Sequence, residues 1–237
     1  GIFALYKEYH TDGTLDPYLS CRNVFLENWN SEVMMVRISN YLKHWERSAS
    51  PRQFSGYESM GATQQLVDAF RMKDGTAITP DKESGYSKAN YSDPKSGWVF
   101  APAGTRNMFV NREPRFYAWV CYDGGEYSSF IADGSPLILE ARNSQKHGYN
   151  PDRYNRDNNA TGYFSKKRIQ PNFQWRSQDN GNNYAHTPLA VIRLAELYLN
   201  LAECHAALNS KQDVLDNLNI VRNRAGIPDL ELSDINS

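Results

Sequence analysis

Between residues 187 and 228 the chain reads TPLAVIRLAELYLNLAECHAALNSKQDVLDNLNIVRNRAGIP, and no other stretch constrains the fold as tightly. Val191, Leu194, Ala195, Tyr198, Leu201, Ala202, His205 and Leu208 recur at i, i+3, i+4, i+7, the spacing of one helix face. Ile192, Leu197 and Leu199 widen that face until Arg193, Glu196, Asn200 and Glu203 remain as a thin polar strip. Thr187 is expected to cap this helix, with Pro188 at the first helical position, where a missing N–H costs nothing. A second helix is predicted from about Lys211 to Ala225, carrying Val214, Leu215, Leu218 and Val221, and Gly226 supplies a left-handed stop. So broad an apolar face needs cover on two sides. The hairpin is therefore expected to belong to a larger helical array, although a single repeat is visible.

Upstream the signals are shorter. Residues 31 to 39 alternate as a strand with Met34, Val36 and Ile38 on one face. Residues 40 to 61 read as a long polar and aromatic loop containing Tyr41, His44, Trp45, Arg47, Arg52, Phe54 and Tyr57. Thr63 is expected to cap a helix through Met72, closed by Lys73-Asp74-Gly75. Residues 76 to 111 show no period and read as an irregular excursion. Arg115 to Tyr122 has the aromatic content of a strand, and Asp123-Gly124-Gly125 would turn it into a hairpin with Glu126 to Ile131. Residues 143 to 160 read as a surface loop, 161 to 169 as a short strand, and 170 to 186 as loop again.

Composition removes several functions. At 237 residues the chain can bury a real core, yet its hydrophobic share is 40% and its mean hydropathy −0.68. It has no run near the ~18 apolar residues of a membrane helix. Net charge is −1 with Lys and Arg scattered, so the electrostatic footprint of nucleic-acid binding is missing. Cys21, Cys121 and Cys204 lack CxxC spacing, which argues against a disulfide framework or zinc site and for three small apolar fillers. The aromatic share of 13%, with 15 Tyr, 10 Phe and 5 Trp, points instead toward stacking surfaces.

The wording of four patches, taken in order, resembles the SusD/RagB family of surface glycan-binding lipoproteins of Bacteroidetes. The first is Thr63-Gln64-Gln65-Leu66-Val67-Asp68-Ala69-Phe70 with Met72-Lys73-Asp74-Gly75, similar to that family's short central helix and turn. Arg112-Glu113-Pro114-Arg115-Phe116-Tyr117-Ala118 is similar to its R-D-P-R-F patch, with Glu113 in place of the aspartate. Thr161-Gly162-Tyr163-Phe164 with Lys166-Lys167 resembles the strand before the final hairpin. The hairpin itself carries Val191 to Asn200, Ala202-Glu203, Leu218-Asn219 and Val221-Arg222-Asn223-Arg224-Ala225-Gly226-Ile227-Pro228.

The resemblance implies a mainly α, SusD-like fold with a tetratricopeptide-type hairpin, long irregular loops and short β-hairpins. The chain would be one region, loop-rich over residues 1–186 and helical over 187–228. It implies non-catalytic binding of oligosaccharide at the outer membrane and delivery to a SusC-like TonB-dependent transporter, with membrane attachment through a lipid anchor. Members begin with a signal peptide and a lipid-modified cysteine followed by helix pairs, whereas Gly1 to Tyr6 reads like helix already under way. The chain is thus expected to be an internal piece.

A pyranose lies with its C–H face on an aromatic ring while its hydroxyls need in-plane donors and acceptors. Tyr41, Trp45, Arg47, Arg52 and Tyr57 supply that mixture in one stretch, and Trp98 in Ser-Gly-Trp adds an exposed ring; these are the candidate ligand contacts. Any of them can instead plug an edge of the core. Trp119 and Tyr117, on the expected strand, read as core, and Trp29 and Trp175 as poorer candidates. No G-x-S-x-G, P-loop or G-x-G-x-x-G occurs, and His10, His44, His147 and His186 lack metal-ligand spacing. Cys204 and His205 diverge on one helix and cannot form a nucleophile–base pair. No catalytic residue, cofactor or metal is therefore expected. The Asn- and Asp-rich run 150–159 offers hard oxygen ligands without EF-hand order and reads as a solvated loop. Lys166-Lys167-Arg168 reads as a solvated strand edge. The alternative function is a helical-repeat scaffold that binds another protein and never meets sugar.

Overall fold

The structure, a computed structural model, describes residues 2–38, 42–52, 56–130, 136–142, 146–150, 158–170 and 188–235. A short antiparallel pair, β1 (Glu8–Tyr9) and β2 (Leu15–Asp16), leads into α1 (Pro17–Asn23). Asp16 caps α1 by accepting from the Leu19 N–H at 2.9 Å, and Pro17 takes the first turn. β3 (Val33–Arg37) follows as expected, and then α2 (Leu42–Ala49). α2 replaces the expected loop. Its sequence places Leu42, Trp45, Glu46 and Ala49 at i, i+3, i+4 and i+7, and the acidic residue in the apolar stripe hides the period.

α3 (Gln64–Ala69) starts where Thr63 predicts, the Thr63 hydroxyl accepting from Leu66 N–H at 3.2 Å, and it ends three residues before Met72. The supposed excursion carries α4 (Pro80–Glu83), a hairpin of β4 (Tyr91–Ser92) and β5 (Val99–Ala101), and a 3-10 turn at Asn107–Phe109. Pro114 then opens a helix, α5 (Pro114–Trp119), where a strand was expected. A proline at the first helical position fits, and three consecutive buried side chains, Phe116, Tyr117 and Ala118, are incompatible with an alternating strand. The strand is reduced to β6 (Val120–Cys121), which pairs with β9 (Phe164–Ser165). The expected hairpin partner β7 (Glu126–Phe130) pairs onward with β8 (Pro136–Ile138).

The first helix of the final hairpin starts later than its apolar pattern predicts. Leu189–Arg193 is strand β10, antiparallel to β3, and α6 (Leu194–Ala207) begins only after it. Val191 and Ile192 are β-branched, and β3 offers their backbone a ladder that a helix start at Pro188 would leave empty. Thr187 lies outside the described residues. α7 (Lys211–Arg224) follows as predicted, stopped by Gly226 at φ +71° against Pro17 of α1. Of the expected α6 face, Ala195 and Ala202 are buried, while Leu197, Leu199, Leu201 and Leu208 are exposed.

The main core gathers Tyr18, Cys21, Val67, Phe70, Phe109, Phe116, Tyr117, Tyr122, Tyr163 and Ile227. A smaller one joins Ala49, Cys121, Tyr127, Leu137, Leu139, Phe164 and Ile169. Two of the three cysteines fill these cores; Cys204 is exposed, contrary to expectation.

Candidate functional site

After α2 the chain doubles back along it. Tyr57 N–H donates to Arg47 O at 2.8 Å, and the N–H groups of Ser59 and Met60 reach Ser48 O at 2.9 and 3.1 Å. Gly56 makes the return possible, because a Cβ there would lie 1.9 Å from Ser50 O. The turn lays the Tyr57 ring under the Arg47 guanidinium, 4.3 Å from its centroid, while Arg168 stands 5.8 Å from the Trp45 centroid. Arg47 and Tyr57 are thus brought together on one edge of α2, whereas Trp45, two residues before Arg47 and so roughly 200° away around the helix, pairs with Arg168 instead. Each ring carries a guanidinium neighbour, so apolar faces and planar donors sit side by side. Tyr57 is 37% exposed. Arg52 is exposed, its N–H donating to Glu58 Oε1 at 2.9 Å. Trp98 belongs to a different element, the β4–β5 turn, where it is 44% exposed and packs 6.1 Å from Tyr18. Tyr41 lies outside the described residues.

Beneath this edge sits Glu46, which the sequence reading passed over. It is buried, its Oε1 has no hydrogen-bond partner, and burial pushes its pKa up to about 8 against the opposing pull of Arg168. Glu46 therefore holds a proton at neutral pH. Its position in the α2 stripe is the signal that could have revealed it.

A cleft of about 440 Å³ opens between α3 and α5. Met60, Leu66, Phe70 and Trp119 form its apolar walls, and Glu113, Arg115 and Lys167 its polar rim. Trp119 is fixed by its indole N–H donating to Cys21 O at 2.9 Å. The Lys166-Lys167-Arg168 run is not a solvated edge. Lys166 and Arg168 are buried, Lys166 Nζ donating to Glu126 O at 3.2 Å, and Lys167 Nζ lies 4.4 Å from the Phe25 centroid and 5.1 Å from that of Trp119. Burial, then the neighbouring Arg193 and Arg168 charges, lower the Lys167 pKa.

Among the described residues one histidine lies between two acids close enough to share an ion. His10 Nδ1 is 3.6 Å from Asp16 Oδ2 and Nε2 is 3.9 Å from Asp93 Oδ2. The two ring nitrogens face opposite carboxylates, so the ring links the N-terminal hairpin to the β4–β5 hairpin. His147 is buried with Nδ1 accepting from Glu140 N–H at 3.0 Å, and His205 is partly exposed, 3.6 Å from Asp213 across the α6–α7 hairpin. His44 is exposed, and His186 lies outside the described residues.

The family comparison decides the identity. The sequence model of the SusD family matches residues 24–237. The chain belongs to the SusD family. It is similar to the solved structures of BT4246, at 34% and 35% identity and TM-score 0.68, covering 93% of this chain and 39% and 38% of those chains. A SusD-like protein, BF3747 from Bacteroides fragilis NCTC 9343, has the same fold at 24% identity and TM-score 0.70, over 97% of this chain and 42% of that one. The chain thus spans about two fifths of the length of these structures. Among curated proteins none matches.

In this SusD-family chain the resembling patches are structural clamps. Arg112 is wholly buried, its guanidinium donating to Met108 O at 2.8 Å, Val67 O at 2.5 Å and Phe70 O at 2.8 Å, so it closes the C-terminal end of α3. Buried Glu113 accepts from Arg71 N–H at 2.7 Å and from Arg115 Nε at 2.5 Å. Asn159 orders the Thr161-Gly162 turn, its Oδ1 accepting from Thr161 N–H at 2.9 Å and Gly162 N–H at 3.0 Å. Glu32, fully buried, ties Arg193 Nη1 at 2.5 Å and Arg224 Nη1 at 2.6 Å, joining β3 to the final hairpin. Among the described residues no helix is long and apolar enough to cross a membrane.

Proposed function

We propose that this chain is part of a cell-surface protein that binds oligosaccharide and passes it to a SusC-like TonB-dependent transporter without cleaving it. The observation that carries the reading is membership of the SusD family over residues 24–237. The α2 edge supports it: Tyr57, 37% exposed, with Arg47 combines a ring face with a guanidinium donor, the chemistry a pyranose requires. Trp98 would extend contact to a further sugar, raising modest affinity per unit through several units. The whole protein would sit at the outer membrane through a lipid anchor, with tetratricopeptide-type helices holding it to its transporter. The test is quenching of Trp fluorescence by plant, host and starch-type oligosaccharides, with chromatography of the sugars afterwards. Quenching with intact sugars supports capture; released products would make the protein a hydrolase and end the reading.

A second reading, a helical-repeat scaffold that binds protein, is favoured by one observation, the exposed Leu197, Leu199, Leu201 and Leu208 on α6. It predicts no response to any sugar.

A further inference from the structure

The cleft between α3 and α5 has a charge imbalance that selects its ligand. Glu113 is its carboxylate, and both oxygens are taken, Oε1 by Arg71 N–H and Oε2 by Arg115 Nε. Arg115 spends a single N–H on that pair, so its terminal amino groups have no hydrogen-bond acceptor among the described residues. Lys167 has no carboxylate within 4.0 Å among the described residues. Its ammonium rests on the faces of Phe25 and Trp119, with Arg193 and Arg168 adding further positive charge behind it. Two cations and one carboxylate, itself paired with Arg115, therefore stand at the mouth of a cleft whose walls, Phe70, Trp119 and Leu66, are apolar. A partly buried ammonium held by rings alone pays desolvation that only an anion returns. The cleft's roughly 440 Å³ is the size of a small-ligand pocket.

We infer that this cleft holds an acidic sugar unit, its carboxylate or sulfate set between Lys167 Nζ and the Arg115 guanidinium and its C–H face against the Phe70–Trp119 wall. This rests on the glycan-capture reading and narrows its ligand class. An apolar wall orients the ring, and the two cations exclude a neutral sugar of equal shape by leaving their charge unanswered.

Calorimetry of the 237-residue chain tests it with three probes of matched length: an oligogalacturonide, a sulfated galactan oligosaccharide and a neutral malto-oligosaccharide. At least one acidic probe is expected to bind about tenfold or more tighter than the neutral one at low salt, the advantage shrinking in 0.5 M NaCl. The two acidic probes separate carboxylate from sulfate recognition. Lys167→Gln should bring the affinity for the acidic probe down to that for the neutral one, with the unfolding midpoint reporting that the variant folds. Leu66→Trp, at a position already 51% exposed, should block the cleft without disturbing the core. Equal binding of acidic and neutral probes overturns the inference while capture stands. An acid preference that survives both substitutions places the anion elsewhere and also overturns it. Binding of no probe overturns the inference, and the capture reading is then decided by the plant, host and starch-type sugars.

Discussion

Glu46→Gln is expected to stabilise this protein in a pH-dependent way. The buried carboxyl has its pKa raised from an ordinary 4.5 to about 8, chiefly by burial. The folded state keeps a proton that the unfolded state releases, so stability is greatest below pH 4.5 and is lost as pH rises through 8. Each unit of separation is worth about 1.4 kcal/mol, which makes the penalty roughly 3 kcal/mol at pH 7 and roughly 5 kcal/mol at its plateau above pH 8. Glutamine carries no proton to release and so avoids this term. Urea unfolding of both proteins at half-unit steps from pH 4.5 to 8.5 measures it, since every other titrating group is common and cancels. The difference should be near zero at pH 4.5 and grow toward alkaline pH. A difference flat with pH, or one that shrinks as pH rises, would refute the claim that Glu46 is buried as the acid.

Three further substitutions or probes check other parts of the fold. Glu32→Gln should cost about 3–5 kcal/mol in urea unfolding, because Arg224, with its side chain 5% exposed, and Arg193 lose their shared carboxylate; a cost below about 1 kcal/mol would mean the triad is solvated. Gly226→Ala should cost about 2–4 kcal/mol, combining a left-handed φ with a Cβ 2.7 Å from Pro17, and a neutral effect would show that α1 and α7 are not packed as described. A disulfide reagent at pH 8 should label Cys204 rapidly and spare Cys21 and Cys121, whose thiols burial pushes up to about 11 and about 12; three fast equivalents would contradict both cores.

What could be read in advance was local. Thr63, Gly226 and the α7 stripe announce themselves because a cap, a left-handed stop and a 3.6-residue period each act within a few residues. The family was legible for a related reason, since Arg112, Glu113 and Gly226 fall within the short patches that carry the resemblance, where they form buried clamps and a left-handed stop. The failures were tertiary. The aromatic run after Pro114 has strand propensity, yet Phe116 and Tyr117 bury together by folding as α5 against the α1 side of the core. Residues 189–193 continue a helical pattern on paper and become β10 because β3, more than 150 residues earlier, supplies the ladder. At the candidate site, the sequence named Trp45, Arg47 and Tyr57 in one stretch but hid both α2 and Glu46, whose charge interrupts the period that would have shown them. Lys167 and Arg168 looked solvated, since nothing local reveals that Phe25, Trp119 and Trp45 lie over them.

The most direct measurement is calorimetric titration of plant, host and starch-type oligosaccharides into the wild-type chain, Trp45→Ala and Tyr57→Ala. Saturable binding by the wild type that weakens at least tenfold in either variant, with sugars recovered intact, is expected if the α2 edge captures glycan. Binding unchanged by both substitutions would contradict the placement of the site, and absence of binding to every sugar would contradict the capture function itself.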